Sequence, residues 1–416
     1  MNIVEELKYR GLIKDYSNQE KVEELLSKPS TIYCGFDPSA SSLHMGNFVM
    51  ISLLMRLQQA GHRIIALVGG ATGMIGDPSG KSAERNLQSM DKLRENTESI
   101  RRQLERFIDL SDPNKGLLLN NYEWLGEMSM LEFLRDYGKH FSINYLLNKE
   151  IISSRLEAGI SFTEFSYNIL QAVDFLTLYR KYNCHLQVGG SDQWGNLTSG
   201  LELIRRAEGN EAVAEAMTCH LLLRSDGKKF GKSEKGALFL NSELTSPYQL
   251  YQYFINVTDE DAVKYLKVLT FATPEEIEEC AKEHYANIGQ RIGQKKLAFE
   301  VVKTVHGLEK AEEAKMMSEV LFKGDITSLN QKQLEEIFGD LTVEVEGELM
   351  LEELLIRIGA ASSKREAREF INGNSVLVNG VKVTETTKII SRQDSLFGTY
   401  TLIRRGKKNY YLVKHI

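Results

Sequence analysis

Thr31-Ile32-Tyr33-Cys34-Gly35-Phe36-Asp37-Pro38-Ser39-Ala40-Ser41-Ser42-Leu43-His44-Met45-Gly46-Asn47 is the stretch that decides how this chain folds. Its opening residues form a short apolar run rich in strand formers, followed by a loop of small residues, and they read as a buried strand at 31–35. Helical periodicity then governs residues 44–60 and stops at Gly61, and residues 63–68 form a second apolar run. A strand, a crossover helix and a second strand in this order build a parallel pair, so the expected fold class is α/β with a Rossmann-like, doubly wound parallel sheet. The texture recurs further on, where residues 185–188 run into Gly189-Gly190 ahead of an amphipathic helix at about 196–206.

Past Pro247 the pattern turns almost wholly helical, at 248–256, 259–269, 274–285 and 290–306. Residues 326–348 are acidic and poorly periodic and read as a connector. The last module pairs helices at 351–358 and 364–371 with a hairpin signal, Val376-Leu377-Val378-Asn379-Gly380-Val381-Lys382-Val383. The expected domains are a catalytic α/β domain at 1–243, an all-α domain at 244–325, a linker at 326–348 and a small α+β domain at 349–416.

Composition limits what such a chain does. It has 416 residues, 42% of them hydrophobic and 26% charged, with a formal net charge of -6. An acidic total argues against non-specific coating of nucleic acid, DNA included, but leaves room for local basic patches. No run approaches the apolar length of a membrane span, and the amino terminus lacks the basic-then-apolar order of a secretory signal, so a cytoplasmic location is expected. Cys34, Cys184, Cys219 and Cys280 are too scattered for a metal or disulfide framework.

Five segments carry chemistry. In the first, His44 and Asn47 lie three apart in the opening turn of a helix, where free N–H groups and the helix dipole favour an anion. The second runs from Gly69 through Gly76-Asp77-Pro78-Ser79-Gly80-Lys81-Ser82 to Arg85. Its Gly80-Lys81-Ser82 imitates a phosphate-binding loop, but Ile75 occupies the position of that motif's first glycine, so the spacing fails. In the third, Tyr167, Gln171 and Asp174 recur at helical spacing and align along one face. The fourth, Gln187-Val188-Gly189-Gly190-Ser191-Asp192-Gln193-Trp194-Gly195-Asn196, is a strand end whose glycines admit a nucleotide and whose Asp192 suits ribose hydroxyls. The fifth, Lys228-Lys229-Phe230-Gly231-Lys232-Ser233, places lysines three apart on a loop able to close over a triphosphate.

The first and fifth segments resemble the His-x-Gly-His and Lys-Met-Ser-Lys-Ser signatures of class I aminoacyl-tRNA synthetases. The Gly-Phe-Asp-Pro context and the form Lys-Phe-Gly-Lys-Ser are those of the tyrosyl branch. Asn47 departs from the pattern, standing where the second histidine is usual; it still donates a hydrogen bond, so altered nucleotide contacts are expected. The resemblance implies a tyrosine pocket of Tyr33, Asp77, Tyr167, Gln171, Asp174 and Gln187. It implies ATP contacts at Cys34, Gly35, Asp37, His44, Gly46, Asn47, Gly190, Asp192, Gln193 and Lys232. Catalytic contacts would come from Ser39, His44, Asn47, Lys81, Arg85, Lys229, Lys232 and Ser233. The implied partners are L-tyrosine, ATP with Mg2+ on its phosphates, tRNA(Tyr) and a second copy of the chain. The tryptophanyl enzymes share the fold and the ribose-binding string, but the pairing of Tyr33 with Asp174 favours tyrosine.

The last module is similar to the S4 RNA-binding fold of bacterial tyrosyl enzymes, and the helical domain before it would face the anticodon. Lys364, Arg365 and Arg368 on one helix, with Arg404, Arg405, Lys407 and Lys408 on a turn, are the residues expected to meet RNA phosphates. A solvated basic face is the competing reading.

Overall fold

A computed structural model describes residues 1–79, 87–156, 159–228, 230–233, 236–323, 326–406 and 409–416. The chain divides into two compact units, Met1–Ser246 with Tyr253–Val301, and Pro247–Gln252 with Val302–Ile416.

The first unit is built on a six-stranded sheet. Its strands are β1 (Asp15–Tyr16), β2 (Thr31–Phe36), β3 (Arg63–Val68), β4 (Gly116–Asn120), β5 (Cys184–Gly190) and β6 (Glu215–Cys219), in the order β1-β6-β5-β2-β3-β4. All neighbours are parallel except β1, which runs antiparallel to β6 along the edge. The winding proceeds from β2 through β3 to β4 on one side and from β5 to β6 on the other. The order therefore reverses between β2 and β5, and the crevice beyond their carboxyl ends is where such sheets bind ligands. Ile32, Ile64, Ile65 and Leu186 are fully buried in the sheet, as are Phe48, Ile51, Leu53, Leu54 and Leu57 of the covering helix Met45–Gln59. A strand flanked by helices on both faces reads as a continuous apolar run, which is why β2 and β3 were legible.

The helices Asp259–Leu269, Pro274–Ala286 and Ile292–His306 follow the periodic pattern closely. The helix Asp259–Leu269 packs against Met45–Gln59 within the first unit.

The second unit contains a five-stranded sheet ordered Val381–Lys382, Val376–Val378, Tyr400–Arg405, Asn409–His415, Thr342–Val345. Its hairpin turns at Asn379-Gly380 with φ of 49° and 82°, as a two-residue Asn-Gly turn requires. Leu351, Leu355, Ala367, Ile371, Val376, Ile403 and Val413 form its buried core. One expectation changes here. Residues 326–348, read as a connector, contain the helix Gln331–Phe338 and the strand Thr342–Val345, which pairs in parallel with Asn409–His415. Acidity hid the strand: Glu344 is met by Lys414 of the neighbouring strand at 3.0 Å, and Val345 is buried.

Candidate active site

Beyond the carboxyl ends of β2, β3 and β5 lies a cavity of about 440 Å³. The segments read from sequence converge on it. Tyr33, Cys34, Gly35, Asp37, Ser39, His44, Gly46, Asn47, Asp77, Tyr167, Gln171, Asp174, Gln187, Gly190, Asp192, Gln193 and Lys232 all line it. Lys81, Arg85 and Lys229 lie outside the described residues. Ser233 lies on the short strand Lys232–Ser233, paired with Gly236–Ala237.

The inner wall is buried and polar. Tyr33 on β2 and Gln187 on β5 are aligned across the sheet and nearly inaccessible, and the Tyr33 hydroxyl and Gln187 Oε1 have no hydrogen-bond partner among the described residues. Beside Tyr33 stands Asp174, from the helix Phe162–Tyr182. Its carboxylate accepts Asn121 Nδ2 at 3.0 Å and Trp124 Nε1 at 2.8 Å. Burial pushes the Asp174 carboxyl up to about 7, with the nearby Asp37 charge adding to the rise, while the Asn121 and Trp124 hydrogen bonds pull it down. Burial also pushes the Tyr33 and Tyr167 hydroxyls well above their ordinary range, so both stay protonated and able to donate.

Two more carboxylates are held in place nearby. Asp37 accepts Tyr167 Oη and Thr72 Oγ1, both at 2.7 Å, and Asn121 donates to Thr72 Oγ1 at 2.9 Å, linking this pair to Asp174. Gly69 is obligatory beside it, because a Cβ there would sit 1.9 Å from Asp37 Oδ1. Asp77 accepts Gln193 Nε2 at 2.6 Å, Asn196 Nδ2 at 3.3 Å and the Ser79 amide at 3.0 Å. Asn168 in turn donates to Asn196 Oδ1 at 2.8 Å.

The rim is exposed and carries donors and cations. His44 is the N-cap of Met45–Gln59: its Nδ1 accepts the Asn47 amide at 3.2 Å, and Asn47 Oδ1 accepts the His44 amide at 3.0 Å. This is a reciprocal capping box, so Asn47 holds the helix start together. The lysine loop rests on that helix start. Leu238 N–H donates to Gly231 O, Met45 N–H donates to Leu238 O, and Gly231 adopts a φ of 77° that disfavours any side chain.

Sequence reasoning gave no role to Thr72, Asn121, Trp124, Asn168 or Asn196, although Thr72, Asn168 and Asn196 lie within the motif segments. A signal existed for Asn121, which directly follows β4 at a strand's carboxyl end, but β4 itself was not read. Trp124 carried none.

In the second unit the basic residues expected to meet RNA are engaged with protein groups. Lys364 pairs with Glu353 at 2.7 Å, Arg368 with Glu352 at 2.5 Å and Arg365 with Glu369 at 3.0 Å. Arg404 lies over the Tyr410 ring and Arg405 over the Phe370 ring, at 5.9 and 5.0 Å. Lys407 and Lys408 lie outside the described residues.

Among the described residues, no helix is long and apolar enough to cross a membrane. Residues 26–323 match the family described as tRNA synthetases class I (W and Y), and residues 333–413 match the tyrosine–tRNA ligase SYY-like C-terminal domain. The chain is 49% identical to tyrosine–tRNA ligase 1 of Bacillus licheniformis, over 100% of this chain and 99% of that one. It is 48% identical to the tyrosine–tRNA ligase of Bacillus caldotenax over the full length of both. Among solved structures, a C-terminally truncated mitochondrial tyrosyl-tRNA synthetase of Aspergillus nidulans superposes with a TM-score of 0.70 at 29% identity, covering 77% of this chain and 94% of that one. A cavity with these residues at the switch point of a parallel sheet, and matches running the length of the chain, lead to one conclusion: the chain belongs to the class I tyrosyl-tRNA synthetases, ligases that use ATP to attach tyrosine to its transfer RNA.

Proposed function

We propose that the cavity binds tyrosine with its phenol inward and its carboxylate toward the rim, where ATP lies. In this reading Tyr33 and Asp174 hydrogen-bond the phenol, and Asp77, Tyr167 and Gln171 hold the ammonium group. Gln193 faces the carboxylate, and Gln187 lines the tyrosine pocket beside Tyr33. Asp192 and Gly190 take the adenosine ribose, while Cys34, Gly35, Asp37 and Gly46 line the rest of the nucleotide path. The observation that carries the reading is the buried Tyr33 hydroxyl beside Asp174, without a hydrogen-bond partner among the described residues, at the inner end of a cavity whose rim bears His44, Asn47 and Lys232. A phenol at that point satisfies buried polar atoms that phenylalanine leaves unpaired, which is the physical basis of discrimination.

The reaction runs in two steps. The tyrosine carboxylate attacks the α-phosphate and pyrophosphate leaves; a terminal ribose hydroxyl of the transfer RNA then attacks the adenylate carbonyl, the acyl–phosphate bond breaks, AMP leaves and the hydroxyl proton is released. No residue becomes covalently attached. His44, Asn47, Ser39 and Lys232, with Lys81, Arg85, Lys229 and Ser233, stabilise charge on the phosphates as it shifts to the leaving group. Magnesium enters with the ATP phosphates as part of the substrate; among the described residues no group of three or more His, Cys, Asp and Glu side chains stands ready to cage an ion. The transfer RNA meets the basic residues of the second unit, the working enzyme is a homodimer, and its location is the cytoplasm.

Exchange of labelled pyrophosphate into ATP, measured separately with tyrosine, phenylalanine and tryptophan, tests the pocket. Tyrosine alone is expected to support it. Exchange driven by tryptophan would overturn the assignment of Tyr33 and Asp174.

A further inference from the structure

The two segments assigned to the phosphates, the helix that begins after His44 and the loop that carries Lys232, are both fastened to a third element, the helix Asp259–Leu269. At its amino-terminal end Asp261, only 2% exposed, accepts the Ser225 amide on both carboxylate oxygens at 3.0 and 3.1 Å, and the Ser225 hydroxyl at 3.1 Å. One turn further, Lys264 Nζ and Tyr265 Oη donate to Leu223 O at 2.7 and 3.4 Å. The Tyr265 ring also packs 4.9 Å from the buried Phe230, two residues before Lys232. The chain leading into the lysine loop is therefore gripped at 223, 225 and 230 by one helix.

The other end of that helix grips Met45–Gln59. Arg56 donates to Thr270 O, and Ser52 Oγ donates to Val268 O at 3.4 Å. Arg10, from the amino-terminal helix Ile3–Arg10, reinforces the junction by donating to Lys267 O at 2.9 Å and Thr270 O at 3.1 Å. All of these groups belong to the first compact unit.

We propose that the helix Asp259–Leu269 sets the lysine loop's position relative to the His44 helix, with Asp261 as the positioning residue for Lys232. This rests on the reading of Lys232 as a phosphate contact. A buried carboxylate that accepts several hydrogen bonds is costly to disengage, and displacement of a charged group by about 1 Å costs on the order of 100-fold in rate. Asp261 touches no substrate; it acts through the loop.

The test uses full-length Asp261→Ala, Asp261→Asn, Ser225→Ala, Lys232→Ala and the Asp261→Ala/Lys232→Ala double variant. Tyrosine-dependent pyrophosphate exchange gives kcat and KM for each substrate, and equilibrium dialysis gives tyrosine affinity. Asp261→Ala is expected to lower kcat about ten-fold with tyrosine affinity within about two-fold of wild type, and Asp261→Asn to recover most of the loss because its amide oxygen still accepts the Ser225 N–H. The double variant should be no slower than Lys232→Ala alone, since both act on one element. Ser225→Ala, on an exposed turn, should show the same split at about three-fold, and decides the matter if Asp261→Ala does not fold. Unchanged kcat in Ser225→Ala and Asp261→Ala, a matching loss of tyrosine affinity, or a double variant slowed by the product of both single effects would each overturn the proposal while leaving Lys232 in its role. Full exchange activity in Lys232→Ala would remove that role, and the proposal with it.

Discussion

The cavity and the basic face of the second unit both present charged side chains to a substrate, but they hold them in opposite ways. In the cavity, Asp37, Asp77 and Asp174 are each held by at least two neutral donors. On the basic face, Lys364 and Arg365 are paired with solvent-accessible carboxylates, Glu353 and Glu369, and Arg368 with the buried Glu352. Neutral donors in a buried site orient a carboxylate without cancelling its charge, so it remains available to a substrate ammonium or phenol. Exposed ion pairs contribute little and exchange partners readily, so phosphates can displace Glu353 and Glu369 at small cost, whereas buried Glu352 holds Arg368 more firmly. The first arrangement suits discrimination between similar small molecules. The second suits a long polyanion bound through many weak contacts.

That contrast can be broken by experiment, beginning where the largest effect is expected. Lys232→Ala should slow adenylate formation roughly 10²–10³-fold with tyrosine affinity retained, as loss of a group that meets charge only as it develops. An equal loss of tyrosine affinity would mean that the rim and the inner wall are not separable.

Asp174→Asn should reduce kcat/KM for tyrosine about 10–100-fold, the worth of one hydrogen bond to a charged group, with KM for ATP little changed. A variant that retained wild-type tyrosine kinetics would place the phenol elsewhere.

The same carboxylate predicts a pH profile. Because burial raises the folded-state Asp174 to about 7, the folded protein holds a proton there that the unfolded chain releases near 4. Its contribution to stability is therefore most favourable below about pH 4, declines as pH rises to about 7 and is level above. If the ionised form accepts the phenol, kcat/KM for tyrosine should rise about ten-fold per unit up to about pH 7 and then flatten in the wild type, and stay flat in Asp174→Asn. A flat wild-type profile would show that the Asn121 and Trp124 hydrogen bonds outweigh burial.

The smallest effect belongs to the basic face. Arg365→Ala should raise KM for transfer RNA about three-fold and lower the slope of log affinity against log salt by about 1, with thermal stability near wild type, since its pair with Glu369 is exposed. A large fall in stability would show that its pair with Glu369 is structural.

Taken alone, the sequence determined those features whose causes lie close together in the chain. The apolar runs of β2 and β3, the helix start at His44, the Asn379-Gly380 turn and the face shared by Tyr167, Gln171 and Asp174 all follow from spacings of a few residues. The tertiary structure alone decided what holds those residues. Asn121 and Trp124 reach Asp174 from 53 and 50 residues away, Asn196 reaches Asp77 from 119, and Asp261 reaches Ser225 from 36. The strand Thr342–Val345 is a strand because Asn409–His415 lies beside it. Periodicity, caps and turns are written in local order along the backbone, whereas a hydrogen-bond partner for a buried carboxylate is supplied by whichever element packing brings alongside it.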